Sequence, residues 1–114
     1  MTSRVDTNLK QWQVVAKKKN SSFAITAIDG ESAYNNQGGT GAIVGSLPAA
    51  KPGFGPYYFL VVAAQTLTVT PKSTDNIRGK AAGVSYSSAT AGNLLKLLCI
   101  ITGTWEIEVN IGFA

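Results

Sequence analysis

Alternation of apolar and polar residues with a period of two dominates the C-terminal third of this 114-residue chain and limits what it can fold into. From 105 to 113, Trp105, Ile107, Val109, Ile111 and Phe113 fall on one face, and Glu106, Glu108 and Asn110 on the other. That pattern predicts a half-buried strand. From 94 to 101, Lys96 interrupts one face, so Leu95, Leu97, Cys99 and Ile101 form the expected core side. Thr102-Gly103-Thr104 joins the two runs as a hairpin turn, with Gly103 supplying the unusual dihedral.

The same period continues upstream. Residues 57–64 are apolar on both faces and predict a central strand covered on both sides. Leu67 and Val69 alternate with threonines in a half-exposed strand that Pro71, which has no N–H for a ladder, brings to an end. Shorter candidates lie at 12–16, 23–28, 42–47 and 84–88, separated by turn formers such as those at 35–41, 52–56 and 73–76. No capped helical stripe and no internal repeat is visible. The expected fold class is all-β, a single antiparallel β-sandwich or barrel-like domain with an extended N-terminal arm. The expected division is a basic arm over 1–22 and a β body over 23–114.

Charge supports that division. Residues 1–22 hold Arg4, Lys10, Lys17, Lys18 and Lys19 against Asp6, whereas 23–114 hold five bases and five acids. The whole excess of +4 therefore sits in the arm. A basic arm on a neutral body predicts an anionic partner. Charged residues are only 14% of the chain and apolar ones 45%, so part of the surface is expected to be covered by association. The lone cysteine, Cys99, reads as a small buried hydrophobe and cannot form an intrachain disulfide. No apolar run has signal-peptide character or membrane-span length, which predicts a soluble product made in the cytoplasm.

Most catalytic chemistry is excluded by residue type. Histidine is absent, which removes the commonest general base and, with one cysteine, any ordinary zinc site. Nucleophilic triads that need histidine are likewise unavailable. Glu106 and Glu108, like Asp29 and Glu31, sit side by side on one segment and do not flank a bond as paired-acid hydrolysis requires. Gly38-Gly39-Thr40-Gly41 lacks the Gly-Lys-Ser/Thr ending of a phosphate loop and reads as a flexible connector between arm and body. The expectation is a chain that is not an enzyme and takes no cofactor or metal.

Lys17-Lys18-Lys19, with Trp12, Phe23 and Tyr34 nearby, would suit phosphates and stacked bases, as in an OB-type single-strand binder. Three lysines make a small footprint on a body without net charge, so an acidic protein surface is the preferred partner and nucleic acid the weaker one.

From Gly41 onward a further pattern emerges. Leu47-Pro48-Ala49-Ala50-Lys51-Pro52-Gly53, the string from Val61 through Ala63-Ala64-Gln65 to Pro71, and Asp75-Asn76-Ile77 occur in order. Ser87-Ser88, Gly92-Asn93, Lys96-Leu97, Cys99 and Gly103-Thr104-Trp105 follow. This series resembles small β domains of tailed-phage virion proteins over about two-thirds of the chain. The resemblance implies a structural role on the virion, as a head decoration (cement) protein or a fibre or tip module, commonly trimeric. A single domain without a shaft favours decoration: a homotrimer on the outer capsid surface that staples the major capsid protein. The expected contacts are Trp12, Val14 and Val15 as apolar anchors, with Arg4, Lys10, Lys17, Lys18 and Lys19 as guides. In a fibre-tip module, the loops at 52–56 and 86–90 would instead contact a host glycan.

Overall fold

A computed structural model describes residues 14–26 and 31–114. Among them there is no helix, and the all-β class holds. Ten strands follow in order: β1 (Val15–Lys18), β2 (Phe23–Ala24), β3 (Ser32–Asn35), β4 (Ile43–Ser46), β5 (Tyr57–Leu60), β6 (Leu67–Thr70), β7 (Asn76–Ile77), β8 (Tyr86–Ser88), β9 (Leu94–Ile101) and β10 (Thr104–Ile111). They form a six-stranded sheet, β1-β3-β5-β9-β10-β7, and a four-stranded sheet, β2-β4-β6-β8.

The pairing corrects the expectation of an antiparallel domain. Five of the eight pairings are parallel and three are antiparallel. The first eight strands visit the two sheets in turn, so β1, β3 and β5 stack in parallel in one sheet while β2, β4 and β6 do so in the other. A period of two reports which residues are buried but not which way the neighbouring strand runs, and so it left the direction open.

Inner residues of both sheets share one core. Tyr57, Phe59, Leu95, Leu97 and Trp105 from the larger sheet meet Ile43, Leu67, Val69 and Tyr86 from the smaller. The aromatic rings stack through it: Phe23 on Tyr34 at 5.1 Å, Tyr34 on Phe59 at 5.6 Å, and Tyr57 against Trp105 at 5.6 Å. Phe23 lies across β4 at Gly45, where a Cβ would come within 2.7 Å of its ring. The corner after β3 is fixed by Asn36, which is fully buried. Its Nδ2 donates to the carbonyls of Ala63 and Gln65, and its Oδ1 accepts from the N–H groups of Val62 and Ala63.

The β9–β10 hairpin turns at Thr102 and Gly103, and Gly103 has φ +87°. Its register slips twice. Ile100 is an extra residue on β9, and Glu108 an extra residue on β10. One inserted residue moves everything beyond it to the other face. Ile101 therefore leaves the core side and is 56% exposed. Val109 and Ile111 pair with Lys96 and Leu94 on the outer face, so they do not continue the Trp105–Ile107 row as the sequence suggested. Phe113 is buried, reached by a turn in which its N–H donates to Asn110 Oδ1. Of residues 57–64 only Tyr57–Leu60 form the central β5, and the second face is not covered: Tyr58 and Leu60 are half-buried and Val62, beyond the strand, is exposed.

Two outcomes follow from this packing. Asn36→Ala leaves four backbone groups of the 62–65 corner without their partner and should lower unfolding free energy by about 3 kcal/mol in urea titration. Asn35→Ala, at a half-buried position, serves as the comparison and should cost far less. Cys99 is 3% exposed, and burial, aided by the Asp75 and Glu106 carboxylates, pushes its thiol pKa up. Thiol reagents at neutral pH should thus label native protein slowly and unfolded protein quickly.

Candidate functional site

Arg4, Lys10 and Trp12 lie outside the described residues. The structure does place Val14, Val15, Lys17, Lys18 and Lys19, and it ties this stretch to the sheet. β1 is the edge strand beside β3, with Val15 N–H donating to the Glu31 carbonyl at 3.2 Å and Lys19 N–H to the Asn35 carbonyl at 2.7 Å. The bonded residues alternate, so the backbone groups of Ala16 and Lys18 face away from β3, where no described strand pairs with them. Val14 and Val15 are exposed there, at 37% and 56%.

The three lysines do different things. Lys17 lies in the inner row, and its Nζ sits 5.6 Å from the centre of the Tyr34 ring. Lys19 Nζ sits 5.3 Å from the centre of the Phe23 ring. Both ammonium groups thus cap the end of the aromatic stack, where each gains a cation–π contact. Lys18 lies in the outer row with Asn35 and Leu60. Inward-turned charge on an edge strand is a recognised obstacle to pairing with another edge. The structural duty of Lys17 and Lys19 was invisible in the sequence, because nothing there showed that Tyr34 and Phe23 would stack beneath them.

Other candidates resolve in the same way. Tyr34 is 2% exposed and cannot stack on a base, and Phe23 is held between Tyr34 and Lys19. The six- and four-stranded mixed sheets also differ from the five-stranded Greek-key barrel of an OB fold. Glu106 accepts two hydrogen bonds from Arg78, at 3.0 and 2.6 Å, which hold its carboxyl below the usual range. Glu108 pairs with Lys96, whose ammonium also lies 4.9 Å from the Tyr58 ring centre, and Glu31 accepts from Tyr58 Oη at 3.2 Å. Asp29 lies outside the described residues. The glycine-rich segment at 38–41 lies between β3 and β4 rather than at the root of the arm.

No protein-family model matches this chain, and neither the curated proteins nor the solved structures contain a match. Among the described residues no helix is long and apolar enough to cross a membrane. The loop at 52–56 is pinned to β9, since Gly53 N–H donates to the Cys99 carbonyl and Cys99 N–H to the Phe54 carbonyl. Residues 86–88 form β8, inside the strand candidate at 84–88, with Tyr86 buried, so the loop at 86–90 that a fibre-tip module would use is a strand over most of its length. Among the described residues, exposed apolar side chains lie at the β1 edge (Val14, Val15), at the end of β9 (Ile100, Ile101), at Val44 and Val84, and on the outer face of the larger sheet (Val62, Ile111).

If the inward lysines guard the edge, replacing both Lys17 and Lys19 with valine should leave the β circular dichroism spectrum unchanged while raising concentration-dependent light scattering.

Proposed function

We propose that this chain is a tailed-phage decoration protein that binds the major capsid protein as a trimer and stabilises the shell. The observation that carries the reading is the ordered resemblance from Gly41 onward, whose segments converge in space. Ala50 N–H donates to Asp75 Oδ2 at 2.8 Å, Gly103 N–H to the Ala50 carbonyl, and Asn76 N–H to the Gly103 carbonyl. Thr104 Oγ1 donates to Asn76 Oδ1. Residues far apart in the chain thus form one joint. The joint is structural and is not itself a binding site.

Binding falls to residues 1–19, where the chain's excess charge lies. An arm that bridges subunits adds its net binding free energy to shell stability by linkage. Apolar anchors, Trp12, Val14 and Val15, supply affinity, while Arg4, Lys10 and Lys17–Lys19 steer.

The test is occupancy on purified undecorated capsids. The deletion must stop at residue 13, because removing 1–22 would take away β1. Removal of 1–13 should abolish binding with the β spectrum intact. Trp12→Ala should weaken binding more than Lys18→Ala, since an exposed charge pair is worth about 1 kcal/mol or less. The lysine change should matter chiefly at low salt. Full occupancy by the truncated protein would overturn the arm's role, and localisation to a fibre tip would replace decoration with receptor binding.

A further inference from the structure

The larger sheet has an outer face more apolar than solvent exposure explains. Leu60, Leu94 and Ile111 are in register across β5, β9 and β10, and Tyr58, Lys96 and Val109 form the row beside them. Ile111 is 54% exposed and Val62, just beyond β5, 42%. Val109 and Ile111 reach this face only because Glu108 bulges; an uninterrupted β10 would have turned them toward the core. A bulge that re-aims two β-branched side chains away from the core and beside Leu94 and Leu60 builds a surface.

We propose that this face, centred on Leu60, Leu94 and Ile111, is where a second copy of this chain packs. Charge selects the occupant. Around the rows stand Lys18, Arg78 and Lys96 with Glu31, Glu106 and Glu108, three of each sign, and Arg78–Glu106 and Lys96–Glu108 already pair within the chain. A strongly acidic or basic partner finds no complement there, whereas an identical face, rotated, sets cation against anion. Area sets the strength. Eight residues each of β9 and β10 and four each of β3 and β5, at about 3.3 Å per residue and about 4.8 Å spacing, give a flat footprint of roughly 380 Å² per copy. Two such footprints, about 760 Å², place the contact at the small, weak end of specific interfaces. The inference is a two-fold contact between two copies, separate from the heterologous contacts of the trimer proposed above. It is tested without capsids, so either reading can fail while the other stands.

Sedimentation velocity on the purified full chain at micromolar concentration reads the outcome. The wild type should run as an oligomer. Leu94→Glu and Ile111→Glu should each weaken association by about tenfold or more, because a carboxylate would be buried without a partner. Val44→Glu, on the smaller sheet and 37% exposed, should leave the assembly intact. As a check independent of added charge, Ile111→Cys in a Cys99→Ser background should give a disulfide-linked pair on mild oxidation, with circular dichroism as the folding control. A monomeric wild type overturns the proposal. So does an oligomer that survives both glutamate substitutions, or one that Val44→Glu disrupts.

Discussion

Parallel pairing with no helix among the described residues is the constraint from which the rest of this structure follows. Two parallel neighbours in one sheet cannot be joined by a tight turn, so the chain must travel the length of a strand before it returns. Here it makes that return through the opposite sheet, with β2 between β1 and β3, and β4 between β3 and β5. Each crossing therefore adds to both inner faces at once, and neither sheet can bury its apolar residues without the other. Corners become expensive, because every crossing leaves backbone groups outside a ladder. Asn36 meets that need at one corner by satisfying two donors and two acceptors of 62–65 with a single amide side chain.

Strands whose own residues specify the buried face were legible in the sequence. Leu67 and Val69 are buried as their alternation with threonine required, and Leu95, Leu97 and Cys99 line the core. Gly103 takes the positive φ its turn demanded. Other elements carried no such mark. β3 is Ser-Ala-Tyr-Asn, buried at Ser32 and Tyr34, with no apolar run to announce it. β7 has two residues, set by pairing with Thr104 and Trp105 and not by any local preference. The bulges at Ile100 and Glu108 conceal themselves in an otherwise regular alternation, so Ile101, Val109 and Ile111 read as core residues and are not.

The candidate surface was legible only in part, for a related reason. A run of lysines is visible in any sequence, but its role depends on what the fold sets beneath it. Lys17 and Lys19 lie over rings contributed by β3 and β2, and Lys18, between them in sequence, takes the opposite face. A cluster that looked uniform is divided by the strand period into two caps and one outward charge. The outer face of the larger sheet was read as covered because residues 57–64 are apolar on both sides. That second face instead carries half-buried Tyr58 and Leu60 and exposed Val62.

The β1 edge and the outer face differ in what they can build. Strand addition at an open edge leaves a new open edge, so growth by that route does not close by itself. Packing by a face consumes the face, and an assembly made that way stops when each copy has its neighbours. This chain turns charged side chains inward at the edge, over Tyr34 and Phe23, and apolar side chains outward on the face, beyond Glu108. The two features together oppose open-ended growth by edge pairing.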